Sequence, residues 1–420
     1  MQVDRDRHIV IVAHFAGSPY HGMVTGYYYL SQEWLKKGYE VTILASGYAH
    51  TRYQNPDVRF PYSVEFIDGI RYVWLKTPSY EASGRFGRVF NILAFSFLGL
   101  FVSLPIRSAS AIICSSHHPA SIFISEKLSK KFSVPLIFEV RDLWPLTLIE
   151  LGGASVRNPF IRLLQYCEDR AYRNSARVVS VLSHASPYMQ SRGMDKDKFE
   201  YIPNGVVVDS QSPDRSESAE RSKYFGIVDE LKSNGNFVIG YAGRLGLANA
   251  LHQLVDALTY CDHKIHAVLL GGGPYVSILK EKVTQLGLES RVHFINYVPK
   301  DLVSLFLEKV DIAYLGLQET PLFYHGISPT KLGDYLLAGK PVLAAYPDPE
   351  RLVENIGCGY SCSSDDPQAM AEAISKLVSC GEPLLNEMGK KGRDWILENR
   401  NYATLAEKFL ELIRQEAARS

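Results

Sequence analysis

Short apolar runs recur along the chain, and most are followed by a segment with helical spacing. Continuous runs of this kind are typical of strands buried on both faces of a parallel sheet. They form two successive series: 8–14, 41–45, 111–114, 136–140, 178–181 and 199–202, then 237–241, 267–270, 292–295, 311–315 and 342–345. The order predicts an α/β protein with two Rossmann-like, doubly wound domains facing across a cleft.

The length of 420 residues exceeds what one ordinary hydrophobic core holds, which agrees with two domains. A Pro-Asn-Gly turn at 203–205 ends the first series, and 209–221, rich in Ser, Asp, Glu and Arg, marks the boundary. We expect a first domain over 1–205, a second over 206–394 and a last segment over 395–420, in which 395–414 has the apolar spacing of a helix.

Composition excludes some classes of partner. The 45 basic and 45 acidic residues cancel, so no net field favours nucleic acid, although local basic clusters can still meet anionic lipid. The six cysteines are scattered without metal-ligand spacing, which indicates free thiols in a reducing cytosol. The first residues lack the apolar core of a signal peptide, so we expect the protein to stay in the cytoplasm.

The stretch 325–346 combines a helix start, a charged pair and a buried strand. Ser328 suits the N-cap, Pro329 suits the first helical position, and Gly339 ends the helix about three turns later. Lys331 falls in the first turn, where the helix dipole disfavours a cation unless an anion such as phosphate lies nearby. Asp334, on the same face, can accept hydrogen bonds from sugar hydroxyls. A surface helix with a Lys–Asp pair explains the same residues without a ligand.

Other candidates lie where predicted strands end, which is where open α/β sheets bind ligands. In the first series these are His118 and the pair Arg141 and Asp142, which directly ends an apolar strand. In the second series glycines follow two strands, at 243–246 and 271–273, and Arg244 can hold a diphosphate bidentately. Each residue can instead be a solvated loop residue, and Arg141 and Asp142 can simply pair with each other.

The run 89–105 carries no charge over 17 residues, slightly short for a bilayer span of about 20. It can be a core helix, a helix in the membrane interface, or the edge of an apolar acceptor pocket. Its phenylalanines do not fall on one narrow stripe, which favours burial of most faces.

Taken together, these residues resemble glycosyltransferase family 4, the retaining, nucleotide-sugar-dependent enzymes with the two-domain GT-B fold. The likeness covers nearly the whole chain and rests on the glycine-rich first turn, 203–205, 241–244, 270–274, 297–299, 328–335 and 338–342. The sequences RDLWP at 141–145 and SPTKLGDY at 328–335 look most like bacterial transferases that build O-antigen and capsule repeat units. In this fold the last segment would return to pack on the first domain.

The resemblance implies roles for individual residues. Arg244 would hold the donor diphosphate and Asp334 the donor ribose, while Arg141, with Asp142, occupies the place where relatives often have a histidine. The family pattern has a lysine near 248–250 and a glutamate eight residues before the acidic residue at 334. The chain departs from it twice, with Asn249 near the lysine position and Gly326 at the glutamate position. Lys331 can supply part of the missing positive charge. The implied catalytic set is Arg244, Lys331, Arg141 and Asp142. The implied acceptor-binding set is His118, Arg141 and Asp142. The implied donor-binding set is Gly22, Gly243, Arg244, Asn249, Gly272, Tyr297, Val298, Ser328, Pro329, Thr330, Lys331, Leu332 and Asp334.

The sequence therefore predicts a retaining hexosyl- or N-acetylhexosaminyltransferase that works without metal or other cofactor. Its expected donor is a nucleotide sugar, with UDP as the nucleotide, and its expected acceptor is a lipid-linked saccharide at the cytoplasmic face of the inner membrane. Two alternatives stay open: a catalytically inactive nucleotide-sugar-binding protein, which Gly326 favours, and a nucleotide-sugar epimerase of the same fold.

Overall fold

The computed structural model describes residues 7–22, 25–81, 85–208, 224–347 and 349–419. The chain forms two compact units, Met1–Gly205 with Tyr402–Ser420, and Val206–Asn401. The predicted boundary segment 209–221 lies outside the described residues.

Unit 1 contains an eight-stranded sheet in the order β3-β4-β2-β1-β5-β6-β7-β8. Its strands are β1 His8–Val12, β2 Glu40–Ser46, β3 Tyr62–Ile67, β4 Ile70–Leu75, β5 Ala111–Ser115, β6 Leu136–Val140, β7 Arg177–Ser180 and β8 Phe199–Tyr201. All pairs are parallel except β3 with β4. The sequence pattern misses this hairpin because β3 is an edge strand whose half-exposed residues form no apolar run.

The helices of unit 1 are α1 Gly26–Lys36, α2 Arg85–Phe101, α3 Ile122–Phe132, α4 Trp144–Glu150, α5 Pro159–Asn174 and α6 Ser186–Ser191. The chain's last helix also belongs to this unit. It packs on α1, where Trp34 Nε1 donates to the Ala406 carbonyl at 3.0 Å and the Trp34 ring meets Phe409 edge to face. The buried Arg177 guanidinium pairs with Glu416 at 2.8 Å, so the C-terminal segment is held by both apolar and ionic contacts.

Helix α2 corrects the expectation for 89–105. Of its five phenylalanines only Phe95 is buried, while Phe86, Phe90, Phe97 and Phe101 are 93%, 61%, 62% and 71% exposed. With Leu93, the exposed residues recur every three or four positions and therefore share one helix face. The buried face instead carries Asn91 and Ser96, which form hydrogen bonds inside the unit. The inference that most faces are buried was wrong because it treated all phenylalanines alike.

Unit 2 contains a six-stranded parallel sheet in the order β11-β10-β9-β12-β13-β14. Its strands are β9 Phe237–Ala242, β10 Ile265–Leu270, β11 Val292–Ile295, β12 Ile312–Gly316, β13 Val342–Ala345 and β14 Gly359–Cys362. Its helices are α7 Gly226–Ser233, α8 Leu251–Leu258, α9 Val276–Gln285, α10 Lys300–Lys309, α11 Thr330–Leu337, α12 Leu352–Ile356 and α13 Pro367–Asn399. Alternate residues of β9 enter separate apolar cores on the two faces of the sheet, Val238 on one and Ile239 on the other. The predicted α/β class with two parallel sheets is confirmed.

Two helix boundaries differ from the sequence expectation. The helix expected over 395–414 is the end of α13 and a separate helix, α14 Tyr402–Ala417, with Arg400 in a non-helical conformation between them. Helix α11 begins at Thr330 with Pro329 as its N-cap and no side-chain cap, so Ser328 lies one residue too early. Because Leu337 is its last residue, α11 has eight residues rather than three turns.

Candidate functional site

In unit 2 the loop after β9 and the first turn of α11 meet. Tyr241, buried at the end of β9, donates its hydroxyl hydrogen to the Arg244 carbonyl at 2.7 Å. Asn249 Nδ2 donates to the same carbonyl at 3.0 Å. The Arg244 backbone is thus fixed by two donors, and its guanidinium is exposed.

Lys331 Nζ lies against this loop. It donates to Tyr241 Oη at 2.8 Å and to Asn249 Oδ1 at 2.5 Å, and it lies 4.8 Å from the centroid of the Tyr241 ring. Both hydrogen-bond partners are uncharged, and within the described ranges no carboxylate forms an ion pair with this ammonium. Burial lowers the pKa of Lys331 to about 8. The ammonium therefore lacks a counter-charge at a place where an anionic ligand can supply one.

Glycine is required at two positions of this region. At Gly243, φ is 149° and a Cβ would lie 2.5 Å from Lys331 Cε, so a side chain there would displace the lysine. At Gly326, φ is 97° and ψ is 163°, a backbone region that is essentially restricted to glycine. A glutamate at 326, as the family pattern expects, would be strained in this backbone. The departure in sequence is therefore matched by a departure in backbone conformation.

The other predicted donor residues differ in accessibility. Asp334 and Thr330 are exposed on α11, whereas Leu332 is buried in the core and offers no side chain to a ligand. Tyr297 is exposed, but Val298 is buried, so only its backbone is available.

Four further members of that set lie in loops. Ser328 and Pro329 are half-buried beside the start of α11, and Gly272 accepts a hydrogen bond from Leu245 N at 2.9 Å with open space at its α-carbon. Gly22 belongs to unit 1 and packs against the Tyr53 ring.

In unit 1, Arg141 is bound to neighbouring side chains. Its Nη1 donates to buried Glu139 at 2.9 Å, and its Nη2 donates to Asn204 of the Pro-Asn-Gly turn. Tyr27 donates its hydroxyl hydrogen to the other Glu139 oxygen and lies beneath the guanidinium. Arg141 thus links β6 to α1 and to the Pro-Asn-Gly turn. Asp142 is exposed and does not pair with it.

His118 is fully buried, with its ring edge-on to His14 and Phe95. Burial lowers its pKa to about 3, so it is neutral at pH 7. Its neighbour His117 is half-buried and shares a 2.6 Å hydrogen bond with Ser115 through Nδ1. An acceptor can therefore contact His117 but not the predicted His118. The sequence shows two adjacent histidines and does not tell which one faces inward.

Comparison with known proteins assigns the family. Residues 227–395 match the model for glycosyl transferases group 1, and residues 21–205 match the model for the glycosyl transferase 4-like domain. The chain belongs to glycosyltransferase family 4.

Similar proteins agree with this assignment. The glycosyltransferase is 22% identical over 308 residues to a probable glycosyltransferase, WbjE, of Pseudomonas aeruginosa, covering 72% of this chain and 74% of that protein. It is 25% identical over 251 residues to a GDP-mannose-dependent alpha-(1-6)-phosphatidylinositol monomannoside mannosyltransferase of Mycobacterium tuberculosis, covering 57% of this chain and 62% of that protein.

Solved structures show the same fold, GT-B. Sucrose-phosphate synthase from Thermosynechococcus elongatus superposes with a TM-score of 0.70 at 16% identity, covering 99% of this glycosyltransferase and 100% of that chain. HepE of Anabaena in complex with UDP-glucose gives a TM-score of 0.62 at 17% identity, covering 97% and 99%.

Among the residues that the structure describes in this glycosyltransferase, no three His, Cys, Asp or Glu side chains are grouped as metal ligands would be. In the same part of the chain, no helix is both long and apolar enough to cross a bilayer.

Proposed function

We propose that this glycosyltransferase moves a hexosyl or N-acetylhexosaminyl group, with retention of configuration, from a UDP-sugar to a lipid-linked saccharide. We place the reaction in the synthesis of bacterial surface polysaccharide, at the cytoplasmic face of the inner membrane. The polysaccharide role is supported by the likeness of 141–145 and 328–335 to transferases of O-antigen and capsule synthesis.

The observation that carries the donor proposal is the partly buried Lys331 ammonium, held between two uncharged oxygens and beside the exposed Arg244. Free N–H groups at the start of α11 add to the positive potential. A diphosphate supplies the missing negative charge, and Asp334 on the same helix is exposed for the ribose hydroxyls. HepE has been solved with UDP-glucose, whereas the M. tuberculosis relative is named GDP-mannose-dependent. We favour UDP, and GDP is the main competing outcome.

These groups also suit the chemistry. In a retaining transfer the bond from the anomeric carbon to the diphosphate breaks, and the acceptor oxygen bonds to that carbon on the same face. Negative charge develops on the leaving oxygen, and the leaving diphosphate accepts the proton of the acceptor hydroxyl. Lys331, Arg244 and the dipole of α11 stabilise that charge without moving. Each such preorganised donor contributes about 3–4 kcal/mol in comparable sites. We propose that the reaction requires no metal ion.

The exposed face of α2 supports the lipid-linked acceptor and the membrane location. It presents four phenylalanines and Leu93, and no polar side chain shares that face. Such a face is suited to the headgroup region of a bilayer. Lys127, exposed on the neighbouring α3, donates to the Leu100 carbonyl at the end of α2 and adds positive charge that attracts anionic lipid.

A thermal-shift panel of UDP, GDP, CDP and ADP, each with its common sugars, tests the donor proposal. A ligand at about 100 times its dissociation constant should stabilise the protein by about 2.7 kcal/mol. We expect a shift with UDP that Arg244→Ala and Lys331→Ala both weaken, and Arg393→Ala, an exposed position on α13, serves as the matched control. A shift with none of the nucleotides refutes the proposal.

Turnover separates the non-catalytic alternative. The glycine at 326 favours a protein that binds nucleotide sugar without catalysis. Donor binding with neither transfer to a lipid-linked saccharide nor donor hydrolysis would establish that function instead.

A further inference from the structure

A further candidate for anion binding lies in unit 1, on helix α2. Arg88 is on the first turns of α2, about half a helical turn away from the exposed phenylalanines, so it faces the body of the unit. Its Nη2 lies 2.6 Å from His50 Nε2. Across the residues that the structure describes, no Asp or Glu forms an ion pair with Arg88.

The hydrogen bonds determine which groups remain as donors. A guanidinium can only donate, so His50 Nε2 accepts and the imidazole hydrogen is on Nδ1. Nδ1 lies 2.8 Å from Tyr80 Oη and therefore donates to it, which leaves the tyrosine hydroxyl hydrogen for another acceptor. Burial, and then the charge of Arg88, lower the pKa of His50, so the ring is neutral at pH 7. The cluster of Arg88, His50 and Tyr80 thus has one positive charge and presents only donors.

The cluster is rigid. Tyr48 donates its hydroxyl hydrogen to the Tyr80 carbonyl at 2.6 Å and its ring meets the Tyr80 ring edge to face. On the next turn of α2, Asn91 Nδ2 donates to the Pro78 carbonyl at 2.7 Å, which holds Pro78 against the helix. The side chains are therefore in place before any ligand arrives.

Its position relates it to the acceptor side of unit 1. The His50 ring is edge-on to Phe15 with centroids 6.0 Å apart, and Phe15 is edge-on to His117 at 5.9 Å. Phe15 follows β1, His50 follows β2 and His117 follows β5, so all three lie at the carboxyl ends of neighbouring strands. The cluster is thus one ring away from the histidine that an acceptor can contact.

We propose that Arg88 and Tyr80, oriented by His50, bind the phosphate group that joins lipid and saccharide in the acceptor. This inference rests on the proposed function, which supplies a phosphate-bearing acceptor. A guanidinium fork matches two phosphate oxygens, and the Tyr80 hydroxyl can donate to a third. His50 is a positioning residue because it holds both donors without needing to touch the ligand.

The test uses the full chain saturated with the nucleoside diphosphate that the thermal-shift panel selects, so that the donor site is filled. Geranyl diphosphate, inorganic pyrophosphate and geraniol are titrated by calorimetry. We expect geranyl diphosphate to bind most tightly, and Arg88→Gln to weaken it about 10- to 100-fold. Arg88→Lys keeps the positive charge without the guanidinium fork, so it should lose less affinity for geranyl diphosphate than Arg88→Gln. The control Arg107→Gln changes an exposed arginine beyond α2 and should leave the affinity for geranyl diphosphate unchanged.

His50 variants separate positioning from packing. His50→Gln keeps one acceptor and one donor and should bind geranyl diphosphate within about threefold of the native protein. His50→Leu should lose about as much affinity as Arg88→Gln. Melting temperatures are measured for every variant, and Arg88→Lys decides the question if Arg88→Gln is unstable.

Three results overturn the inference. The first is an affinity for geranyl diphosphate that neither Arg88→Gln nor Arg88→Lys changes. The second is equal affinity for pyrophosphate and geranyl diphosphate, which would indicate a site for free phosphate. The third is equal affinity for geraniol and geranyl diphosphate, which would indicate a purely apolar site. In each case normal nucleotide binding leaves the donor proposal intact. A protein that binds no nucleotide refutes the proposed function instead.

Discussion

The position of Lys331 predicts an unusual pH dependence of nucleotide binding. Burial lowers its pKa to about 8, so in the free protein the ammonium loses its proton as the pH rises through that value. The nucleoside diphosphate used in the assay needs the charged form, and its terminal phosphate, with a second pKa of about 6, is largely ionised at pH 7. Affinity should therefore be full below about pH 8 and fall above it.

The magnitude follows from the pKa. At about pH 9.5 the charged form is roughly one part in 30 of the free protein, so the dissociation constant should rise about 30-fold over its value at pH 7, a loss of about 2 kcal/mol. Lys331→Arg keeps a charge at every pH in this range, and its affinity should be flat. Lys331→Gln should also be flat, but weaker at pH 7 by about 10- to 100-fold because a charge-assisted bond is lost.

Calorimetric titration of the nucleoside diphosphate at several pH values between about 7 and 9.5 measures all three curves. Asn249→Ala supplies a further check because it removes one acceptor that holds the ammonium in place. A native curve that stays flat over this range, or a Lys331→Arg curve that falls as steeply as the native one, would refute the assignment of Lys331 to the diphosphate.

Three further outcomes are expected. Replacing Phe90 and Phe97 by serine should weaken binding to anionic vesicles at least about 20-fold, as measured by co-sedimentation. Each ring is about three-fifths exposed, and burying a whole Phe side chain contributes about 1.5–3 kcal/mol. Gly326→Ala should reduce the free energy of unfolding by about 1–3 kcal/mol in urea titrations because φ is 97°. Acid should destabilise the fold, because His14 and His118 are buried and their pKa values lie well below 6.5. As the pH falls below 6.5, the unfolded state binds protons that the folded state does not. The free energy of unfolding should then fall by about 2–3 kcal/mol per pH unit.

Each expectation has a control. Phe60→Ser removes a ring that is 77% exposed elsewhere in unit 1. If Phe60→Ser weakened vesicle binding as much as the replacement of Phe90 and Phe97, that would argue against α2 as the lipid-facing helix. Gly226→Ala should be neutral or stabilising, because a Cβ at that position meets nothing within 4 Å. An equal loss in the free energy of unfolding at both glycines would argue against strain at Gly326. Unfolding free energies that match at pH 7 and about pH 5 would contradict the burial of neutral imidazoles.

Much of the architecture could be predicted from the sequence. The strands β6 and β13 begin and end where the apolar runs do, because a strand covered on both faces must be apolar throughout. The bounds of β11 were also predicted, although it is a half-exposed edge strand, because Val292, Phe294 and Ile295 still form a short apolar run. The hairpin β3 and β4 and the last strand, β14, were missed. Both β3 and β14 lie at sheet edges, where half-exposed residues carry a mixed pattern.

Part of the candidate site in unit 2 could also be predicted. Lys331 stood out as a cation in a first helical turn, where the helix dipole disfavours it, and Arg244 stood out as a cation in a glycine turn that follows a strand. That the two predicted elements meet, with Asn249 accepting from Lys331, required the tertiary structure. The strand order places β9 next to β12, and sequence distance gives no sign of that neighbour.

Side-chain direction was decided only by the fold. The sequence determined that α2 is rich in phenylalanine and that two histidines follow β5, since both are facts of composition and spacing. Which rings face solvent, and that His118 is enclosed while His117 is not, depended on the elements that pack against them. Burial is a property of what surrounds a residue, and in this chain those surroundings come from segments tens of residues away: Phe95 and His118 lie against His14, and Arg141 is held by Asn204.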